Sequence, residues 1–73
     1  MPNNQAKYEY LLDLKVQLGH QDATEYELVM QVAHRVKFSD QTEEEALDDL
    51  IKYYEESLEL RKQEQQRQKQ PKQ

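Results

Sequence analysis

Few residues in this chain are of a type that does chemistry unaided. His20 and His34 are the only histidines, fourteen residues apart and outside any ligand-spaced cluster such as H-E-x-x-H. His20 reads as a solvated loop residue, and His34 as a partly buried residue beside a tyrosine. The two serines, Ser39 and Ser57, sit in no G-x-S-x-G elbow. The absence of cysteine excludes disulfides, thiolate zinc sites, iron–sulfur clusters and cysteine nucleophiles. The single glycine, Gly19, excludes glycine-rich phosphate loops and dinucleotide fingerprints. The expectation is a non-enzymatic chain with no metal, no cofactor and no small-molecule substrate.

Two groups of side chains carry more information. Glu43, Glu44 and Glu45, with Asp48 and Asp49, could suggest a carboxylate catalyst. General acid–base work needs two carboxylates converging on a pocket that pushes their pKa values apart. Helix-start capping and a solvated face account for these five more simply, with a surface for a basic partner as the alternative. The second group is five tyrosines, Tyr8, Tyr10, Tyr26, Tyr53 and Tyr54. Base stacking would need them interleaved with Lys and Arg on one exposed face. Core packing suits them better, with a tyrosine-rich protein interface as the second reading.

Charge is unevenly placed. The net charge is −5; residues 1–60 carry five Lys/Arg against fourteen Asp/Glu, and residues 61–73 carry five Lys/Arg against one Glu. An acidic body repels phosphates and favours basic partners. The basic stretch can complement the dipole of a preceding helix, contact phosphates or dock a partner. Arg61, Lys62, Arg67 and Lys69 from this stretch, with Tyr53 and Leu60 just before it, are the candidate partner-binding residues.

The elements that would position these groups follow from periodicity. In Lys7–Leu18 the even positions Tyr8, Tyr10, Leu12, Leu14, Val16 and Leu18 are all apolar or aromatic, a half-buried strand pattern. A helix there would place Lys15 near the middle of the apolar face, although the leucines, lysines and glutamine favour helix. Gly19–Thr24 breaks the pattern. Glu25–Phe38 repeats the alternation through Tyr26, Leu28, Met30, Val32, His34, Val36 and Phe38. Its helical alternative is serious, because Leu28, Val29, Val32, Ala33 and Val36 also form one helical face. Pairing Leu18 with Tyr26 brings the two alternating sets onto one face of a hairpin. After Ser39–Gln41, Thr42 can cap a helix with Glu45 completing a capping box. Leu47, Leu50, Ile51, Tyr54 and Leu58 form its apolar stripe. Beyond Leu60 only proline is apolar, so residues 61–73 read as a frayed helix or a disordered tail.

The run Phe38–Leu47, FSDQTEEEAL, resembles the strand-to-helix passage of small HicB-type antitoxins, which implies a strand leading into a threonine-capped helix. The likeness covers ten residues of a general capping signal, and the glycine- and proline-rich segment of that family does not precede it. It assigns no family.

The predicted fold is α+β: a long two-stranded antiparallel hairpin (8–18 and 26–38) covered by one amphipathic helix (42–60), in a single domain over residues 1–60 followed by the 61–73 tail. A three-helix all-α bundle is the alternative. The expected core contains Leu14, Met30, Val32, Leu47, Leu50, Ile51 and Tyr54. The N-terminus, MPNNQ, has neither a basic nor an apolar leader region, so no signal peptide is expected. No apolar run approaches the roughly 20 residues that span a bilayer, and the lack of disulfides suits the cytoplasm. The function expected is that of a small acidic regulatory or accessory protein acting through protein contacts, of a kind abundant in phages and mobile elements. A nucleic-acid-binding regulator, antitoxin- or repressor-like and using the basic tail, is the alternative. A chain of 73 residues buries a small core, so a homodimer or another protein is the expected supplement.

Overall fold

The computed structural model of the chain describes residues 4–69, with side-chain surroundings as far as residue 66. Three α-helices follow one another: α1 (Asn4–Gln17), α2 (Glu25–Phe38) and α3 (Glu43–Lys69). Among the described residues there is no strand. The predicted hairpin is therefore corrected. Both of its stretches are helical, and the α+β class gives way to an all-α three-helix bundle.

The physical reason lies in which apolar residues are buried. In α1 they are Leu11 and Leu14, continued by Leu18 just past the helix, in steps of three and four residues. The alternating set included Tyr10 and Val16, which are exposed. In α2 only Leu28 and Val32 are buried, one helical turn apart. Met30, expected in the core, is 52% exposed. The period of two was real in the sequence, but half of it marks surface.

Local signals fix the helix ends. Gly19 terminates α1 in the left-handed region at φ 77, where a side chain is strained. Its N–H donates to the Val16 carbonyl and the His20 N–H to the Lys15 carbonyl, the paired bonds of a Schellman ending. Thr24 begins α2: its extended backbone lets Oγ1 accept the Glu27 N–H at 3.2 Å. Glu25 and Glu27 lie in the first turn of α2 and Arg35 and Lys37 in the last, each sign where the helix dipole favours it. Thr42 caps α3 with both arms of a capping box. The Glu45 N–H donates to Thr42 Oγ1 (3.1 Å), and the Thr42 N–H donates to Glu45 Oε1 (2.9 Å). The likeness to the antitoxin strand-to-helix passage holds only in this cap, since Phe38 ends a helix.

Partners across α1 and α3 advance together, so these helices run parallel with α2 antiparallel to both. Asn4 Nδ2 donates to Glu43, Lys7 Nζ to Glu44 and Asp48, the Tyr10 hydroxyl to Glu55, and Arg61 Nη1 to the Leu18 carbonyl. The core between the helices consists of Leu11, Leu14, Leu18, Leu28, Val32, Ala46, Leu47, Leu50 and Tyr54, with Tyr8, Leu12, Ile51 and Leu58 packed at its margin. Helix α3 continues through Lys69, beyond the level at which Arg61 meets the end of α1. Of the tail expected to be frayed or disordered, residues 70–73 lie outside the described residues.

One charged side chain joins the core. Lys15 is 1% exposed. Its stem fills space a leucine would otherwise take, while Nζ lies 3.3 Å from Asp22 Oδ2 and 5.8 Å from the centre of the Tyr54 ring. Asp22 sits in the α1–α2 loop, and its exposed carboxyl is held below the ordinary carboxylate range chiefly by its hydrogen bond with Lys15.

Leu50→Ala should lower stability by about 2–5 kcal/mol, the usual cost of emptying a core leucine site. Lys15→Met, similar in length and uncharged, should leave stability unchanged or raise it by about 1–4 kcal/mol, as when other buried ion pairs become apolar. Urea melts of the two variants check both. A Lys15→Met loss as large as that of Leu50→Ala would show that the buried charge itself holds the fold.

Candidate functional site

Helix α2 gives the bundle only one narrow edge. With Leu28 and Val32 inward, helical spacing turns Tyr26, Met30, Ala33 and Lys37 to the opposite side, and all four are exposed. Tyr26 is 70% exposed. Val29 and Val36 lie on the flank between these two sides and are also exposed. The apolar surface of α2 is thus a broad arc, of which the bundle covers about one edge.

On that flank the surface sinks into a groove of about 300 Å³ lined by Tyr8, Val29, Val32, Ala33, Val36 and Glu43. Its wall is almost wholly apolar, the one charge being Glu43 at the rim. The Tyr8 hydroxyl donates to Glu43 Oε2 at 2.7 Å, tying the start of α1 to the start of α3 across the groove mouth. Burial, then the hydrogen bond to Glu43, then the negative charge of Glu43 push the Tyr8 phenol up to about 12. Beside it Lys7 bridges Glu44 (3.1 Å) and Asp48 (2.7 Å), and those hydrogen bonds, Asp48 first, raise its pKa. These ion pairs are partly exposed and screened, so they orient more than they stabilise.

An apolar channel with a tyrosine and one carboxylate at its lip can take the apolar side chains of another chain. A second, wider depression of about 470 Å³ is lined by Asp40, Gln41, Glu45, Asp48 and Asp49. There Gln41 Nε2 donates to Asp49, Glu45 serves the α3 cap and Asp48 accepts from Lys7, so four of the five lining side chains already have structural partners. Among the described residues no group of three His, Asp or Glu side chains is placed to hold a metal ion. No helix among them is long and apolar enough to cross a membrane. His20 packs edge-on against Tyr54 at 5.4 Å between ring centres. His34 is exposed and stacks beside Phe38 at 4.7 Å rather than against a tyrosine.

The residues proposed from sequence are placed elsewhere, on α3. Tyr53 and Leu60 are 61% and 60% exposed, seven residues apart on one flank of that helix. Arg61 is occupied: its guanidinium donates to the Leu18 carbonyl at 2.7 Å, closing the end of α1. Lys62 is exposed. The side chains of Arg67 and Lys69 lie outside those described. Sequence reasoning missed the α2 surface as a site, although its signal was present. The face Leu28, Val29, Val32, Ala33 and Val36 is wider than one buried seam requires.

Raising the pH should reveal the lip of the groove. The neutral Tyr8 phenol favours the folded state fully below its ordinary value of 10.0, and this contribution is lost as pH climbs toward 12. In a phenolate absorbance titration, Tyr8→Phe should remove part of the late absorbance, the rest belonging to Tyr10, whose phenol is also raised by its hydrogen bond to Glu55. An unchanged titration in Tyr8→Phe would disconnect Tyr8 from Glu43.

No family model, no curated protein and no solved structure matches the chain, so the α2 surface is read on its own chemistry.

Proposed function

We propose that this chain is a small non-enzymatic regulatory or accessory module of the cytoplasm that acts through protein contacts made by α2. The observation that carries the reading is the apolar groove along α2, which through Ala33 adjoins the exposed stripe of Tyr26 and Met30 on the same helix. Contiguous apolar surface costs solubility in a free monomer, and surfaces of this kind mark interaction sites. The flanking residues suit recognition: aromatic rings and Met adapt to a partner, and the charges at each end of α2 set orientation.

A second reading draws on one feature of α3. The helix runs on to Lys69, so the basic residues of its last turns stand on a helical arm, and Lys62 on that arm is exposed. This supports contact with nucleic-acid phosphates. Arg61, held by the Leu18 carbonyl, and the acidic charge of residues 1–60 weigh against it.

A photo-crosslinking residue in place of Tyr26, irradiated in native lysate, should yield a discrete protein adduct, and Val36→Asp should abolish it. Failure to form any adduct that Val36→Asp removes would defeat the protein-contact reading. Retention on duplex DNA or on RNA that weakens steeply with salt and is lost in Lys62→Glu would establish the second reading instead.

A further inference from the structure

The outer stripe of α2 has the spacing of a coiled-coil seam and is complementary to itself. Tyr26, Met30, Ala33 and Lys37 are spaced four, three and four residues apart, which keeps them in line along the helix. All four are exposed, on the side facing away from Leu28 and Val32. The acids Glu25 and Glu27 are at one end of α2, and the bases Arg35 and Lys37 at the other.

We propose that the occupant of the α2 surface is a second copy of this chain, bound by α2 packing antiparallel against its counterpart about a two-fold axis. The inference rests on the reading of α2 as the docking face and names the partner.

Orientation follows from pairing the stripe with itself. Antiparallel, Met30 of each copy meets Ala33 of the other, so two central layers each combine a large with a small side chain. The outer layers set Tyr26 against Lys37, whose stem can lie along the ring with its amine over the face. On one flank Val29 meets Val36, extending the apolar contact to the groove. On the other, Glu27 meets His34, and the acidic start of each helix lies beside the basic end of its partner. Parallel pairing loses these matches. It sets Lys37 against Lys37 and apolar Val29 beside His34, and it leaves a gap where Ala33 meets Ala33. Two-fold symmetry is the commonest closed arrangement for identical chains. A seam of four layers is short, so the pair is expected to be in exchange with the free chain.

The full-length chain should be weighed by light scattering from about 5 to about 500 µM, a range that spans such an equilibrium. The expected mass rises from one chain toward two, and Ala33→Glu, a substitution at an exposed site, stays at one while its circular dichroism remains helical. Orientation is read by disulfide trapping, since the chain contains no native cysteine. An equimolar mixture of Met30→Cys and Ala33→Cys should crosslink to each other faster than either crosslinks to itself. Faster Met30→Cys self-crosslinking would overturn the antiparallel seam. Association that Ala33→Glu leaves intact would overturn α2 as the contact. A monomeric mass throughout would overturn the dimer. If the Tyr26 photo-adduct with another protein still forms and still needs Val36, only this inference is lost. If the adduct fails too, both fall.

Discussion

A lysine in the core sets the terms for this bundle. Burying an ammonium group costs free energy unless it keeps partners, and Lys15 keeps two, the Asp22 carboxylate and the face of Tyr54. Asp22 belongs to the loop that turns α1 into α2, and Tyr54 to the middle of α3. One amine therefore connects an element of each neighbouring segment. Around it the same end of the molecule closes further. The Lys15 carbonyl receives the His20 N–H, His20 rests on Tyr54, and Arg61 reaches back to the Leu18 carbonyl. With Asp22 titrating below its ordinary 3.8, its contribution is present above that value and fades as pH falls through the lower folded-state value.

The remaining stability is divided unequally. Helix α3 supplies Ala46, Leu47, Leu50 and Tyr54 to the core and serves as its common wall, and α1 supplies Leu11 and Leu14, with Leu18 just beyond. Helix α2 supplies only Leu28 and Val32. Its Val29, Met30 and Val36 gain little from folding because water still reaches them. The helix held by the fewest buried groups is thus the helix with the most uncovered apolar surface.

The sequence made α3 legible and left α1 and α2 ambiguous, for identifiable reasons. The T-x-x-E signature at Thr42 and Glu45 predicted a cap whose two hydrogen bonds are present. The same wording occurs at Thr24 and Glu27, where one arm forms in the structure, a start signal for α2 that the reading by periodicity passed over. The alternation prevailed over the helical face because Tyr26, Met30, His34 and Phe38 are apolar or aromatic and exposed, which periodicity takes for burial. In α1 the obstacle was Lys15. A charged residue on the apolar face counts against a helix until a partner is found for it, and Asp22 lies across a loop whose geometry the sequence does not specify. Of the site, the helical face through Val29, Ala33 and Val36 was readable. Its groove was not, because Tyr8 and Glu43 reach it only once α1 and α3 lie parallel.

Uncovered surface and loose attachment are two consequences of one allocation of side chains. Had Val29 and Val36 been turned inward, the monomer would gain core and lose the face that a second chain can cover. Turned as they are, their burial is deferred to association, and whatever covers them adds its binding free energy to the stability of the fold. Because α2 carries few internal contacts, it is also the element whose order responds most to being covered. Exposed apolar surface on the least anchored helix is what links binding to folding in a bundle of this size. Lys15 makes its contacts with the α1–α2 loop and with α3 at the far end, apart from the surface on which that link operates.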